Sequence, residues 1–208
     1  MDGVIVDSMP YHYISWYEAL VPAGVRVSCM FVHRKEGERW EKTLNELLSA
    51  SGRRIGKKEF SRIFARKQRI FRRYFKRSIF AGVPELLDGL AAGGFALGLV
   101  TGTPMPEVRH ILPAGLFRRF DCVISGEMVK RGKPFPDPYR AAARTLGVAP
   151  RDCLVVENAQ LGIRSAKRAG MFCCAVTTSL PAEYLKGADA VIDDVSRLGA
   201  VIKKWDKK

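Results

Sequence analysis

The second half of the chain carries short apolar runs separated by segments with helical character. The runs cover residues 96–101, 122–125, 153–156, 173–177 and 190–192. Short runs rich in valine and leucine, bounded by glycine or polar residues, are typical of strands buried on both faces. Helices are predicted over residues 84–92, 138–146 and 161–169, with Asp137 as the N-cap of the second. The alternation predicts a parallel sheet with its ligand site at the carboxyl ends of the strands.

Residues 10–80 show a different pattern, without a convincing strand. Leu44, Leu47 and Leu48 predict a helix that ends near Gly52. A longer helix is predicted from apolar residues spaced by three, four and seven positions, namely Phe60, Ile63, Phe64, Phe71, Tyr74 and Phe75. We therefore expect an α/β core formed by residues 1–9 and 81–208, interrupted by a helical cap of residues 10–80.

Composition excludes several classes of protein. Hydrophobic residues make up 47% of the 208 positions, which is enough for a packed core and argues against a disordered chain. No apolar run reaches the roughly 18–20 residues that cross a bilayer. The five cysteines form no CxxC pair, so we expect reduced thiols and a cytoplasmic protein.

The net charge of +14 is placed unevenly along the chain. Between residues 26 and 77 there are 17 basic and 5 acidic residues, so this stretch alone carries a net +12. The charge therefore concentrates in the predicted cap, while the predicted core is close to neutral. Such an asymmetry is itself evidence for a boundary between the two parts.

Polar groups suited to chemistry occur in four separated segments. They are the N-terminal residues 2–8, the Thr101-Gly102 pair that closes a predicted strand, Lys133, and the Glu157-Asn158 pair. A lysine and a hydroxyl neutralise phosphoryl oxygens, while carboxylate and amide oxygens bind Mg²⁺. Each segment alone also has a plainer interpretation as a turn, a helix cap or a solvated charge. Their shared position at one edge of the predicted sheet favours a phosphate and metal site.

The ordered segments DGVIVDS, LVTGT, GKPFPDPY and VVENAQLGIRSAKRAG resemble those of the haloacid dehalogenase-like hydrolases. The similarity spans essentially the whole chain and is strongest to the branch of beta-phosphoglucomutase and phosphoglycolate phosphatase-like enzymes. It implies a Rossmann-like core with an inserted helical cap. It also implies Mg²⁺-dependent phosphoryl transfer from a small phosphorylated substrate through an aspartyl-phosphate, which divides one difficult step into two.

The resemblance also implies a role for individual residues. Asp2 matches the family's general acid/base, and Thr101 with the backbone N–H groups near Gly102 matches its phosphate-binding hydroxyl. Lys133 matches the lysine that offsets charge on the nucleophile and the phosphate.

The metal ligands that the resemblance implies are Asp2, Glu157 and Asn158. The second residue of the Glu-Asn pair is commonly aspartate in the family. The Asn158 amide offers an oxygen without a charge, so weaker metal binding is expected.

One departure from the family concerns its first motif, Asp-x-Asp-Gly, which follows an apolar strand. Met1 stands at the x position, so the nucleophilic aspartate and that central strand are not in this sequence. Its two neighbouring strands, which lead to Thr101 and Glu157, would then lack a hydrogen-bonding partner. Either Met1 is internal to a longer product or the chain is an inactive variant. We favour the first explanation and expect little activity from this chain alone.

The basic cap has two interpretations. Caps of this branch select the substrate, so Arg34, Lys35, Arg39 and Lys42 are candidates for binding an anionic substrate, with Trp40 as an apolar wall. A solvated helix face is the alternative, and we expect it for the basic residues of the longer helix: Lys57, Lys58, Arg62, Arg66, Lys67, Arg69, Arg72 and Arg73.

The sequence leaves several functional questions open. An inactive core whose basic cap binds nucleic acid or an anionic membrane surface is a competing function, although no nucleic-acid motif is present. His12, His33 and His110 are isolated and receive no predicted role. The substrate, the choice between hydrolase and mutase, and the oligomeric state stay open.

Overall fold

The computed structural model describes residues 1–205, so residues 206–208 of the predicted core lie outside the described part. The cap helices are α1 Met9–Leu20, α2 Cys29–Arg34, α3 Trp40–Ala50 and α4 Lys57–Tyr74. The remaining helices are α5 Val83–Ala92, α6 Met105–Ile111, α7 Ala114–Phe117, α8 Asp137–Leu146, α9 Gln160–Ala169 and α10 Leu198–Trp205. The strands are β1 Gly98–Val100, β2 Cys122–Ile124, β3 Leu154–Glu157, β4 Phe172–Val176 and β5 Ala190–Ile192.

All strand pairs within these elements are parallel, as the alternating pattern predicts. β1 pairs with β2, and β4 lies between β3 and β5 in a second sheet. Helices return the chain from β1 to β2 and from β3 to β4, which is the expected crossover connection, whereas β4 and β5 are joined by a segment with one short 3-10 turn. Each predicted strand and core helix is present, with ends that differ by one or two residues.

The start of α8 differs from the predicted cap. Pro136 precedes the helix and Asp137 is its first residue, so Asp137 is not the N-cap. Its carboxylate instead accepts two hydrogen bonds from the Arg131 guanidinium, at 3.0 and 3.1 Å. A bidentate pair with a charged donor is a stronger interaction than a cap to a neutral N–H, which explains the difference. The helix ends where expected, at Gly147 in the left-handed conformation.

The cap has its own apolar cluster, centred on buried residues such as Leu20, Leu44 and Leu47. Helices α1 and α4 pack closely together, and Trp40 stacks on Phe64 with ring centroids 3.7 Å apart. The division into a core and a cap at residues 10–80 stays a prediction, and this separate cluster supports it.

One basic residue of α4, Lys67, does not lie on a solvated face, contrary to the sequence expectation. Lys67 is buried, with 8% of its surface exposed. Arg72 is exposed for about half its side chain, but its Nε donates to the Glu107 carboxylate of α6 at 3.1 Å. Lys67 contacts His12 of α1 within the cap, whereas Arg72 forms an ion pair with α6 of the core.

An apolar cavity of about 440 Å³ separates the two sheets. Residues 98–100 of β1 line one side, residues 154–156 of β3 line the other, and Met1 lies in its wall. Among the described strands, β1 is an edge strand on the side away from β2, and β3 is an edge strand on the side away from β4. We call this cavity the inter-sheet slot. The slot has β1 on one side and β3 on the other, and no described strand lies between these two.

Within residues 1–205, no helix combines the length and the hydropathy that crossing a bilayer requires.

Candidate active site

The predicted catalytic side chains are buried and lie beside the carboxyl ends of β1 and β3. Thr101 directly follows β1, and Glu157 is the last residue of β3. Asp2, Thr101, Lys133 and Glu157 each have 7% or less of their surface exposed. Asp2 is hydrogen-bonded to Thr103, two residues beyond Thr101, and Lys133 is paired with Glu157. The structure therefore brings together residues that are far apart in the sequence.

Lys133 and Glu157 form a buried ion pair with 2.6 Å between Nζ and Oε1. The Tyr139 hydroxyl donates to the same carboxylate oxygen, and the backbone N–H of Asn158 donates to Oε2 at 3.2 Å. Burial raises the pKa of Glu157, but the Lys133 charge and these hydrogen bonds outweigh burial and leave the pKa below its ordinary value. Glu157 is thus ionised, and its carboxylate holds the Lys133 ammonium in place.

The Asp2 carboxylate is hydrogen-bonded through both oxygens. Oδ1 accepts from the Ser8 hydroxyl at 2.6 Å and lies 3.2 Å from His12 Nε2, while Oδ2 accepts from Thr103 at 3.2 Å. Burial raises the pKa of Asp2, but the hydrogen bond and charge of His12, with the N-terminal amine and Ser8, lower it overall. Asp2 is therefore a carboxylate at neutral pH, which is the form that a general base requires.

His12 connects Asp2 to the cap. Its Nδ1 lies 3.0 Å from Lys67 Nζ, which has only protons to offer while it is charged, so Nε2 carries the ring proton towards Asp2. Burial lowers the pKa of His12, and burial lowers the pKa of Lys67 to about 8. No role was predicted for His12 from the sequence. Its spacing of four residues from Ser8, on one helical face, is the signal that could have revealed it.

Gly102 lies directly under the cap. A Cβ atom at Gly102 would come within 2.6 Å of the Gly37 carbonyl oxygen, so only glycine fits there. The Thr101 hydroxyl beside it accepts the backbone N–H of Thr103 at 3.1 Å. The predicted phosphate-binding hydroxyl and glycine thus lie at the cap–core contact.

The cap loop that contains Glu36 and Gly37 contacts the core at Lys133. Gly37 has a φ of +77°, and a Cβ atom there would lie 2.8 Å from Cδ of Lys133. Glu36 is close enough to Asp2 and Lys133 to feel their charges, and burial, followed by the Asp2 charge, raises its pKa to about 8. The structure is therefore that of a cap closed over the core.

A small cavity of about 80 Å³ lies between the cap and the core, next to Asp2. We call it the cap cavity. Its wall includes His12, Lys35, Glu36, Trp40, Lys67 and Thr103. Trp40 lines this cavity, and its role as an apolar wall for a substrate stays a prediction.

The cap cations predicted to bind the substrate lie in different places. Lys35 lines the cap cavity and is paired with Glu46 and, at 3.5 Å, with Glu38. Arg34 and Arg39 are absent from the described lining of that cavity.

The guanidinium of Arg34 lies 5.9 Å from the centre of the Tyr184 ring. Arg39 reaches the Lys130 carbonyl oxygen at 3.4 Å and packs against Gly132. The Lys42 ammonium lies 2.7 Å from Glu38. Of the predicted cap cations, Lys35 is the one that the structure places at the cavity.

The oxygen atoms at this site are of the kind that Mg²⁺ prefers, but too few of them are free to form a complete metal site. Glu157 and Asn158 offer the oxygen atoms that this ion prefers. Both Asp2 oxygens, however, already accept hydrogen bonds, and Glu157 Oε1 is held by Lys133. In residues 1–205, no cluster of three or more His, Cys, Asp or Glu side chains is arranged to hold a metal. The predicted set of Asp2, Glu157 and Asn158 therefore supplies part of a metal site.

A parallel α/β core with charged groups at its strand ends and a helical cap closed over them defines a Rossmann-like protein with an inserted cap. The sequence profile of the haloacid dehalogenase-like hydrolases matches residues 1–170. The chain belongs to this family, in the branch of beta-phosphoglucomutase and phosphoglycolate phosphatase, as the motifs predicted.

Characterised relatives cover the chain to different extents. It is 27% identical over 216 residues to beta-phosphoglucomutase of Bacillus subtilis, with all of this chain and 93% of that protein aligned. It is 30% identical over 208 residues to hexitol phosphatase A of Escherichia coli, aligning 95% of this chain and 90% of that protein. A match of 38% over 118 residues to validoxylamine A 7'-phosphate phosphatase of Streptomyces hygroscopicus spans 56% of this chain and about half, 55%, of that relative.

Experimentally solved structures of other proteins share the fold of this chain. A crystal structure of beta-phosphoglucomutase from Clostridium difficile superimposes with a TM-score of 0.86 over 99% of this chain and 94% of that chain. The sequence identity is 23%, so this likeness concerns the fold alone.

Proposed function

We propose that this chain forms the core and cap of a Mg²⁺-dependent phosphatase or phosphomutase that acts on a small phosphorylated metabolite of the sugar phosphate or phosphoglycolate type through an aspartyl-phosphate. One observation carries the proposal: Asp2 is hydrogen-bonded to Thr103 just beyond β1, Lys133 is paired with Glu157 at the end of β3, and the cap loop at Gly37 contacts Gly102 and Lys133. This constellation supplies a proton acceptor, a cation for phosphoryl charge and an oxygen donor beside the strand ends.

Asp2 is the general acid/base in this proposal. Its three hydrogen-bond partners fix both oxygens and keep it ionised, so it is ready to accept a proton from an attacking water molecule or hydroxyl. His12 positions Asp2 by donating from Nε2. Because Lys67 of the cap holds the other ring nitrogen, the orientation of Asp2 depends on where the cap lies.

The phosphoryl group lies between Thr101, Gly102 and Lys133 in this proposal. The Thr101 hydroxyl and the Gly102 backbone stand at the end of β1, and Lys133 comes from the loop before α8, next to the Gly37 loop that covers Gly102. Arg39 packs against the backbone beside Lys133 and is proposed to keep that loop in place. Lys35 is proposed to contact the substrate from the cap, and Arg34 at its exposed position is proposed to attract anionic substrates.

Glu157 and Asn158 would hold Mg²⁺, with Asp2 nearby. When bound, the ion supplies positive charge to the phosphoryl oxygens.

The inter-sheet slot supports a proposal for the nucleophile. An extended apolar segment that pairs with β1 and β3 and runs into Met1 would fill the slot and satisfy both strand edges. The residue before Met1 would then adjoin the Met1 amine, which is near enough to Lys133 and Glu157 to feel their charges. We propose an aspartate at that position as the nucleophile, and an impaired activity for the chain without it.

Phosphate release tests this function. The chain would be assayed with Mg²⁺ on glucose 6-phosphate and phosphoglycolate, beside a version that carries an N-terminal apolar segment ending in aspartate. The proposal expects turnover by the extended version and its loss in the extended Asp2→Asn variant and after chelation of the metal. No turnover by the extended version on a panel of small phosphomonoesters would refute it.

Binding of nucleic acid or an anionic surface is the second candidate. It is favoured by the exposed basic residues of α4, Lys57, Lys58, Arg62, Arg66, Arg69 and Arg73. Retention on heparin that falls steeply with salt, together with no phosphatase activity in the extended version, would support this candidate instead.

A cytoplasmic location is part of the main proposal, and the absence of disulfides among the five cysteines supports it.

A further inference from the structure

Five basic residues of α4 lie in one narrow stripe on the outer surface of the cap. They are Lys58, Arg62, Arg66, Arg69 and Arg73, and all five are exposed. Their spacing of four, four, three and four residues keeps them within about 80° of one another around a helix with 3.6 residues per turn. At a rise of about 1.5 Å per residue, the stripe is about 22 Å long. We call it the α4 stripe.

The charges of the α4 stripe are not compensated by the protein. Arg72 of the same helix pairs with Glu107, whereas no ion pair within residues 1–205 involves a residue of the stripe. Glu59, the acidic residue of α4, lies in its first turn and is likewise unpaired in the described part of the chain. Like charges three and four residues apart on a helix repel each other. The stripe therefore carries a repulsion that an anionic partner would remove.

The surroundings of the stripe favour a polyanion over a lipid surface. A helix that lies in a membrane surface inserts an apolar face. The apolar face of α4 is instead used by the cap, where Ile63 and Phe71 are buried and Ile70 packs against the apolar cluster. The exposed neighbours Ser61 and Ala65 are small. The stripe and this flank therefore present charge to a partner, without a large apolar side chain to enter a bilayer.

The same surroundings favour a double strand over a single strand. Proteins that bind single strands stack the bases on aromatic side chains. Phe64 of α4 stacks on Trp40 within the cap, and the Arg73 guanidinium lies over the Tyr74 ring, 5.6 Å from its centre. A duplex carries about one phosphate charge per 1.7 Å of its axis, so each cation of the stripe can meet a phosphate. Four of the five cations are arginines, whose guanidinium binds phosphate through two donors.

We propose that the α4 stripe binds the phosphate backbone of a double-stranded nucleic acid without reading its sequence. Contacts to phosphates position a protein on a duplex but carry no sequence information. The stripe is separate from the strand-end site, because the buried Lys67, which meets His12, lies on the other side of α4. This inference goes beyond the proposed phosphatase function and adds a second surface to it, so it does not depend on that function.

Fluorescence anisotropy with a labelled DNA duplex of about 20 base pairs tests the proposal on the unaltered chain. If each of the five cations neutralises one phosphate, the affinity should fall about 500-fold between about 50 and 200 mM salt. The double variant Arg66→Gln/Arg69→Gln makes two contacts fewer, so its affinity should fall only about 40-fold over the same range. Glutamine is a good helix former, which keeps α4 intact in this variant.

Lys203→Gln/Lys204→Gln is the matched control, because it removes the same charge from two exposed residues of α10. It should keep the full salt dependence. A variant of the stripe that behaves like the unaltered chain, or a control that loses as much salt dependence, would overturn the proposal. So would no binding of the duplex, or binding of a single strand or of phosphatidylserine vesicles that is as tight. Phosphate release by the extended version tests the proposed function separately, since the DNA experiment needs no turnover.

Discussion

The ammonium of Lys133 lies 2.6 Å from a carboxylate oxygen of Glu157, and both side chains are buried. One residue comes from the loop before α8 and the other from the end of β3. A buried pair of this kind is costly to break, because the remaining charge has no solvent to replace its partner. Loss of either partner should therefore destabilise the fold, and the pair sets the position of Lys133, the lysine proposed to bind the phosphoryl group.

Replacing Lys133 with methionine should destabilise the protein strongly. Glu157 would lose its cation, and the free energy of unfolding should fall by about 3–5 kcal/mol. Urea unfolding followed by circular dichroism measures this change. Asp88→Asn, which breaks the exposed Arg119 ion pair, is the control and should cost less than about 1 kcal/mol. Equal losses in the two variants would contradict the role given to the buried pair.

Alanine at Gly37 should disturb cap closure. The residue has a φ of +77°, and its added Cβ would press on Cδ of Lys133 at 2.8 Å. A cost of at least about 1 kcal/mol and faster proteolysis of the cap loop are expected. Gly56→Ala is the control in the same cap, since a Cβ there meets nothing within 4 Å and its φ is −76°. Unchanged proteolysis of Gly37→Ala would argue against a closed cap.

Lys67 should make stability depend on alkaline pH. Burial lowers its pKa in the folded state to about 8, from 10.5, so between these values the unfolded chain binds more protons. The stability of the unaltered protein should therefore rise with pH in this window, by up to about 1.4 kcal/mol per unit from this group. Lys67→Met removes that rise. Urea unfolding at several alkaline pH values measures this dependence. The same rise of stability with pH in both proteins would contradict the prediction.

The hydrogen bond from His12 should be visible in the titration of Asp2. His12→Phe keeps the stacking on Phe71, whose ring centroid is 4.5 Å away, but removes the donor to the carboxylate. The pKa of Asp2 should rise in this variant, because burial then acts against fewer stabilising contacts. Carbon-13 NMR of labelled aspartate measures it. His110→Phe, distant from Asp2 in the described contacts, should leave the titration as it is.

The sheet and its connections could be predicted from the sequence because the pattern there is local. Short valine-rich runs and glycine helix ends, such as Gly147 and Gly170, are set by neighbouring residues. The order of the motifs then indicated which residues would meet at the strand ends. Asp137 shows the limit, because a guanidinium six residues earlier in the sequence competes for its carboxylate.

Contacts between the cap and the core could not be predicted in the same way. A periodic pattern shows which face of α4 is apolar, but not that Lys67 at the edge of that face meets His12 of another helix. The same holds for Glu36, whose proximity to Asp2 depends on how far the cap closes. Such pairings are set by the angle between two bodies, and hydrophobic spacing carries little information about that angle.

The central claim is that a β-strand occupies the inter-sheet slot. The last residue of that strand would act as the nucleophile beside Lys133 and Glu157. The direct test compares two versions of the chain that carry the same apolar N-terminal segment, ending in aspartate in one and asparagine in the other. Both should melt at a higher temperature than the chain alone, and only the aspartate version should release phosphate from glucose 6-phosphate. Equal phosphate release by the asparagine version, or no gain in melting temperature from either segment, would contradict the claim.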